Sequence, residues 1–300
     1  MKVLVAIDGS SYTDMCIQAA KKIALPADTS IIITTVVPEH TFLDGLRFIK
    51  HRSASKSGDN FRQKQEQAAG ILLEKGCPQL QSIGFDATPM VKWGKPTEQI
   101  LNVVHEQKPQ LVIIGAKGST NSDHFQLGSV AGKIMKHAGC NVLLVKEWIE
   151  KVRRVFLATD GSPHSAAALD FLLDLSFPSR VEYFLLTVLQ SHVEAYLSMP
   201  TLNMDDYQQM IADLQKGEEK AARKLLNEIE KRCREKGFGV TPMLRRGEPS
   251  HEIINCANAF NPELVAVGSR GLGAVEGFLM GSVAQRVARH SRYSVLIVRK

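Results

Sequence analysis

The sequence KVLVAIDGS at residues 2–10 returns as RVFLATDGS at residues 154–162, an offset of 152 positions. Further matches follow at an offset of 153, among them TPM at 88–90 and 241–243, and GSVA at 128–131 and 281–284. This period is far longer than the roughly 20–50 residues of a solenoid repeat. The chain is therefore predicted to be a tandem duplication, with one domain at residues 1–147 and a second at residues 152–300.

Each copy alternates short apolar runs with longer polar stretches. The runs show no polar alternation, which is typical of strands buried on both faces of a parallel sheet. They lie at 3–7, 31–37, 111–114 and 142–145, and again at 155–159, 181–189, 264–267 and 295–298. Helices are predicted between them, at 11–24, 61–75, 97–107 and 128–138 in the first copy and at 206–236, 250–260 and 281–290 in the second.

This alternation predicts an α/β fold made of two tandem doubly wound, Rossmann-like domains. Each domain would contain a five-stranded parallel sheet with the strand order 3-2-1-4-5. In sheets of this kind, ligands bind beyond the carboxyl ends of the strands. We therefore look for functional residues where the strands of each copy end.

The composition is that of an ordinary globular protein, with 44% hydrophobic and 23% charged residues, which excludes a disordered or fibrous chain. The net charge of +6 is shared evenly, because Lys and Arg outnumber Asp and Glu by 17 to 14 in residues 1–150 and by 20 to 17 in residues 151–300. This even distribution argues against nucleic acid as a partner. Five cysteines without a C-x-x-C pair, and no apolar leader or membrane span, predict a cytoplasmic protein with no membrane partner.

A glycine pattern follows the fourth predicted strand of each copy. The second copy has GSRG at 268–271 and then Gly281-Ser282, and the first has GAKG at 115–118 and then Gly128-Ser129. Glycine lets backbone N–H groups approach a ligand closely, and a helix that begins at the second glycine favours an anion. Arg270 or Lys117 would add a positive charge. We interpret both patterns as phosphate sites; the alternative is a pair of flexible strand-to-helix loops.

The first strand of each copy ends in Asp-Gly-Ser, at 8–10 and 160–162. A carboxylate at this position can accept hydrogen bonds from a ribose or hold a metal ion through water. The alternative is an aspartate that only caps the following helix.

Together, D-G-S after the first strand and G-x2-G-x9-G-S after the fourth resemble the universal stress protein family in its tandem two-domain form. The resemblance covers nearly the whole chain, and the G-x-P sequences at 94–96 and 247–249 also fit it. Similarity to the ATP-binding branch implies one adenine nucleotide site per domain. In the second domain the residues at the adenosine end would be Ala158, Thr159, Asp160 and Val188, and those at the ribose and phosphates would be Val267, Gly268, Ser269, Arg270, Gly271, Gly281, Ser282 and Val283.

The same resemblance, carried to the first domain, implies a site made of Ala6, Ile7, Asp8, Val36, Ile114, Gly115, Ala116, Lys117, Gly118, Gly128, Ser129 and Val130. This copy departs from the second inside its loop, where Asp123 would repel a phosphate and His124 could offset the repulsion or pair with Asp123. We therefore expect the second site to bind more strongly.

The functional prediction is an ATP-binding regulatory protein of the stress response, with ADP or AMP as alternative ligands and Mg²⁺ as a companion of the nucleotide. No catalytic residue can be named. A slow Mg²⁺-dependent ATPase, a nucleotidyl-transferring enzyme on the same fold and an interaction module with empty sites are the alternatives.

The last strands, at 141–146 and 294–300, would be apolar sheet edges. The connection at 146–153 spans at most about 26 Å, at ~3.3 Å per residue, and so keeps the domains close. We expect the two edges to pair inside one chain as a pseudo-dimer, with a homodimer through other faces also possible.

Overall fold

The computed structural model describes residues 1–38, 54–118, 127–178, 180–190, 204–273 and 279–300, with only the backbone described at 54–61 and 204–207. Contacts divide the chain into two compact units, Met1–Glu150 and Lys151–Lys300. Among these residues, no helix combines the length and the apolar character that crossing a membrane requires.

Strands and helices alternate in the same order in both units. The first unit consists of β1 (Lys2–Ile7), α1 (Ser11–Lys22), β2 (Ser30–Val37), α2 (Ala54–Gln81), β3 (Asp86–Trp93), α3 (Pro96–Gln107), β4 (Leu111–Gly115), α4 (Ser129–His137) and β5 (Asn141–Val145). The second consists of β6 (Arg154–Ala158), α5 (Pro163–Asp174), β7 (Glu182–Leu189), α6 (Met204–Glu235), β8 (Val240–Arg246), α7 (Pro249–Phe260), β9 (Leu264–Gly268), α8 (Ser282–His290) and β10 (Ser294–Val298).

All strands within a unit pair in parallel, in the order β3-β2-β1-β4-β5 in the first unit and β8-β7-β6-β9-β10 in the second. The predicted fold class and strand order are thus confirmed. Ala6 pairs with Ile114, and Ala158 pairs with Val267. In each unit this register brings the end of the first strand beside the end of the fourth, where the glycine pattern begins.

The central strands explain why their sequences lack polar alternation. Val3, Leu4 and Val5 of β1 are fully buried, as are Val155 and Phe156 of β6, because helices cover both faces of the sheet. The third strands differ, since β3 and β8 lie at the edge of their unit's sheet and leave most of their residues partly or fully exposed. They include Pro89 and Pro242, which cannot donate to a ladder and are typical of edge strands.

The predicted extent of the second helix in the first unit was wrong. A helix at 61–75 was expected, whereas α2 runs over 28 residues, Ala54–Gln81, and is nearly as long as α6. The polar sequence before Arg62 gives no apolar periodicity, and Pro78 would normally end a helix. Cys77 and Leu80 are nevertheless buried, so packing holds the helix across the proline.

The exposed face of α6 carries several ion pairs. Arg223 pairs with Glu219, and Arg234 with Glu230. Arg232 pairs with Asp170 of α5. The third pair is therefore a contact between helices.

Candidate functional site

The end of β9 and the loop after it lie so close to the turn after β6 and to α5 that a side chain at either of two positions would collide. A Cβ at Gly268 would lie 2.7 Å from the backbone nitrogen of Ser165, and one at Gly271 would lie 2.5 Å from Asp160 Oδ2. At Gly268 a side chain would force the backbone of α5 to move, whereas at Gly271 it would displace the Asp160 carboxylate. We refer to residues 268–273 as the second glycine loop and to residues 115–118 as the first.

The helix that follows the second glycine loop has an open N-terminus. Gly281 is the N-cap of α8 and offers no side-chain cap, while its own N–H donates to the Ser269 carbonyl oxygen at 2.8 Å. The N–H groups of the first helical turn have no carbonyl partner inside the helix, and the helix dipole adds positive potential there. The loop and this helix end thus present N–H donors beside each other.

A cavity of about 620 Å³ lies against this loop, within the usual size range of small-molecule sites. All twelve residues predicted for the second site line it: Ala158, Thr159, Asp160, Val188, Val267, Gly268, Ser269, Arg270, Gly271, Gly281, Ser282 and Val283. The structure thus brings residues from four separate stretches of the second unit around one space.

Sequence reasoning missed the residues that α6 and α7 contribute to this cavity. They are Glu218, Ala221, Ala222, Leu225, Pro249 and Ile253. The four from α6 share one helix face, since residues three and four apart are neighbours. That spacing is visible in the sequence, but only the fold shows that this face covers the strand ends.

Two polar atoms beside the cavity are buried without a hydrogen-bond partner among the described residues, namely Arg270 Nε and Thr187 Oγ1. Buried polar groups normally have a partner, so an orphaned one calls for an explanation. An unpaired guanidinium nitrogen in the second glycine loop is suited to an anionic ligand.

The charge of Asp160 is stabilised by neighbouring donors. Partial removal from water would raise the pKa of Asp160, but hydrogen bonds from Ser162 and Leu272 outweigh this effect and lower it. The N–H of Ser162 donates to Oδ1 at 3.0 Å, and that of Leu272 donates to Oδ2 at 2.9 Å. Helix α5 is capped by the side chain of Ser162, which accepts from the Ser165 N–H.

The first unit places its predicted residues in the same arrangement. Ala6 and Ile7 end β1, and Asp8 follows them. A Cβ at Gly118 would lie 2.8 Å from Asp8 Oδ2, and the N–H of Gly128 donates to the Ala116 carbonyl oxygen at 2.8 Å. The other residues lie at the neighbouring ends of β2 and β4, in the first glycine loop and in the first turn of α4: Val36, Ile114, Gly115, Lys117, Ser129 and Val130.

The sequence model of the Universal stress protein family matches the chain twice, at residues 1–146 and 151–299. The chain belongs to the universal stress protein family. The predicted membership, in the tandem two-domain form, is thereby confirmed.

Similar proteins agree with this assignment. Universal stress protein YxiE from Bacillus subtilis is 32% identical over 148 residues, which are 49% of this chain and 98% of that protein. Universal stress protein Mb2028c from Mycobacterium bovis is 25% identical over 229 residues, covering 73% of this chain and 72% of the relative. A solved universal stress protein from Archaeoglobus fulgidus covers 100% of this chain and 96% of its own, with a TM-score of 0.67 and 18% identity, and so shares the fold.

The two universal stress domains differ in the side chains around their glycine loops. Tyr12 and Ala116 of the first domain occupy the places of His164 and Ser269 in the second, at the offsets of 152 and 153. Asp123 and His124, which we expect to weaken the first site, lie outside the described residues.

No group of three or more His, Cys, Asp or Glu side chains arranged to hold a metal ion occurs in the parts of this universal stress protein that the structure describes. Both carboxylate oxygens of Asp160 already accept N–H bonds.

Proposed function

We propose that this protein binds an adenine nucleotide in each domain, with ATP as the main ligand and ADP or AMP as alternatives, and with stronger binding in the second domain. One observation carries the proposal: the second glycine loop, the open N-terminus of α8 and the unpartnered Arg270 Nε surround a single cavity of about 620 Å³. Backbone N–H groups and a guanidinium converging on one space are the chemistry that binds phosphates.

The rest of the cavity suits the nucleoside. Its wall beyond the loop is largely apolar and includes Ala158, Val188, Leu225 and Ile253. A purine base gains affinity when its faces are removed from water, at about 25 cal/mol per Å² of apolar area. In this arrangement the phosphates lie on the second glycine loop, and the base lies between the end of β7 and the inner face of α6.

We further propose a regulatory binding role in the stress response and a cytoplasmic location. The support for the role is the family to which both halves of the chain belong. The support for the compartment is that all five cysteines are free thiols, as expected under reducing conditions.

The test is to identify the ligand that the protein carries. Freshly purified protein is extracted with acid, and the extract is separated by nucleotide chromatography; titration calorimetry then measures ATP, ADP and AMP. We expect adenine nucleotide in the extract and binding at two sites of unequal affinity. Absence of any adenine nucleotide, together with no measurable binding at millimolar concentration, would overturn the proposal. Saturable, metal-dependent turnover faster than about 1 s⁻¹ would instead indicate an ATPase.

A further inference from the structure

Glu218 lines the cavity of the second domain on its β8 side, away from the second glycine loop. Its carboxylate oxygen Oε2 lies 3.5 Å from Nη1 of Arg246, the last residue of β8. The loop follows β9, and the strands β7 and β6 lie between β8 and β9. Because neighbouring strands are about 4.8 Å apart, roughly 14 Å of sheet separates β8 from β9. Glu218 is therefore placed beside the base of the proposed nucleotide and not beside its phosphates.

The rest of the α6 face above the cavity is apolar. Ala221, Ala222 and Leu225 line the space together with Glu218. Leu225 lies against the turn after β6, since a Cβ at Gly161 would be 3.1 Å from Leu225 Cδ2. Glu218 lies about two helical turns before this contact. It is the one charged side chain that the described part of α6 contributes to the cavity lining.

A carboxylate can distinguish purine bases because it accepts hydrogen bonds and does not donate them. It has about four acceptor sites, so the contact with Arg246 does not saturate it. Adenine has an amino group at position 6, which donates, whereas guanine and hypoxanthine have an accepting carbonyl oxygen there. Thr187 Oγ1 is also buried beside the cavity, but a hydroxyl both donates and accepts and so cannot make this distinction.

Building on the proposed nucleotide site, we propose that Glu218 selects adenine in the second domain by accepting a hydrogen bond from the exocyclic amino group of the base. A purine with an oxygen at position 6 would bring a second acceptor against the carboxylate. Neither acceptor would then have a donor, and this loss weakens binding of the wrong base. The selectivity thus arises from one attractive and one repulsive contact at the same atom of the ligand.

The first domain has glutamine at the corresponding position. Gln65 matches Glu218 at the offset of 153, and the same offset relates Ala69 to Ala222, which are both buried one helical turn further along. An amide side chain can donate as well as accept. The first site is therefore expected to discriminate little between ATP and inosine triphosphate (ITP), the analogue with an oxygen at position 6.

The test variant is Glu218→Gln, studied with Gly118→Asp present so that only the second site is measured. Titration calorimetry compares ATP, ITP and purine riboside triphosphate, which has only hydrogen at position 6. Before the substitution, ATP should bind at least tenfold more tightly than ITP. Glu218→Gln should weaken ATP about three- to tenfold without weakening ITP, so that the ratio of the two affinities falls to about threefold or less. The affinity for purine riboside triphosphate should not change.

The matched control is Glu219→Gln, at the next residue of α6. Glu219 pairs with Arg223 on the exposed face of the helix, so this variant loses the same charge without touching the cavity. It should leave the ratio of ATP to ITP affinity unchanged. Equal losses for all three ligands in Glu218→Gln would show that Glu218 only holds Arg246, and would overturn the proposal. Tighter binding of GTP than of ATP before the substitution would overturn it as well.

The converse variant is Gln65→Glu in the first site, measured with Gly271→Asp present. It should raise the preference for ATP over ITP several-fold, and it provides the test if Glu218→Gln does not fold. An unchanged ratio in both variants, with ATP bound, would overturn this inference alone. If the wild-type protein binds none of the three ligands, the proposed function itself fails, and the inference fails with it.

Discussion

His164 lies within hydrogen-bond distance of Ser269 in the second glycine loop, whereas Tyr12 and Ala116 are the corresponding residues of the first domain. Alanine has no hydroxyl, so that contact cannot form there. The Ser10 hydroxyl accepts from the N–H of Tyr12, while its counterpart Ser162 donates to the loop at Arg270. The two copies therefore share the backbone of the site and differ in the side chains that order it.

Comparing the two domains separates two requirements of the site. One is the close approach of the loop backbone, and the other is the set of side chains that hold the loop. Both loops keep glycine where a Cβ would collide, at Gly118 against Asp8 and at Gly271 against Asp160. The backbones of the two described loops thus make the same close approach to an aspartate carboxylate. The side chains that hold the loops differ, and we expect the difference to appear as unequal affinity for the same nucleotide.

The variant with the largest expected effect is Gly271→Asp, which should abolish nucleotide binding at the second site. Its Cβ would collide with Asp160, and its carboxylate would face the phosphates. We expect a loss of roughly 100-fold or more, equivalent to about 3 kcal/mol, measured by calorimetry with the first site also disabled. Gly273→Ala is the control, since a Cβ there meets nothing within 4 Å. Equal losses in both variants would mean that loop flexibility matters more than close approach.

The difference in ATP affinity between the two sites can be measured with variants that each disable one site. With Gly118→Asp or Gly271→Asp present, each site is titrated alone, and we expect the second to bind ATP about tenfold more tightly, as one or two lost hydrogen bonds would allow. Adding Tyr12→His and Ala116→Ser to the first site transfers the missing contact. This double substitution should raise the ATP affinity of the first site roughly threefold. No gain would show that the contact does not cause the difference in affinity between the two sites.

A separate cause of the asymmetry is tested by Asp123→Gly. If the charge of Asp123 repels the phosphates, this variant should tighten the first site by about two- to fivefold at low salt, with a smaller gain at 0.5 M salt, because salt screens exposed charges. A gain that does not depend on salt would point to loop conformation instead. Asp86→Asn, in the exposed edge strand β3, is the matched change of charge.

The smallest effect concerns pH. Burial, with Arg270, Lys300 and Arg299 nearby, lowers the pKa of His164, and Asp160 opposes this. His164 Nδ1 accepts the backbone N–H of Lys300 at 3.1 Å and must be unprotonated to do so. A lowered pKa in the folded state means that stability is complete at neutral pH and is lost as pH falls below the ordinary histidine range.

Urea unfolding at pH 7.5 and pH 5 provides the measurement for this histidine. The free energy of unfolding should fall by less than about 1 kcal/mol between the two values through His164, because the side chain is only partly buried and solvent screens its neighbours. The variant His164→Gln should show a smaller fall than the wild type. His251→Gln, on the exposed surface of α7, should behave like the wild type.

Most of the fold was predictable because the internal repeat and the continuous apolar runs of the buried strands can be read directly from the sequence. Runs such as 3–7 and 264–267 are apolar at every position, since helices cover both faces of the sheet. The third strands could not be located in this way. β3 exposes most of its residues, so its sequence DATPMVKW carries neither a continuous apolar run nor clean alternation.

The loop side of the candidate site was also predictable, and the helix side was not. Glycine spacing reports directly on backbone geometry, so positions such as Gly268 and Gly281 could be chosen without a structure. Leu225 and Ile253 are ordinary helix residues, and only the packing of α6 and α7 directs them to the cavity. The bond between the Leu272 N–H and Asp160 depends on a loop geometry that no sequence pattern states.

The exposed edge strands have a consequence for the behaviour of the protein at high concentration. An open strand edge can recruit the same edge of another molecule and start aggregation. Pro89 removes one donor from β3, and Pro242 does the same in β8, which also ends in the charged pair Arg245-Arg246. Both edges thus carry features that hinder edge-to-edge pairing between molecules.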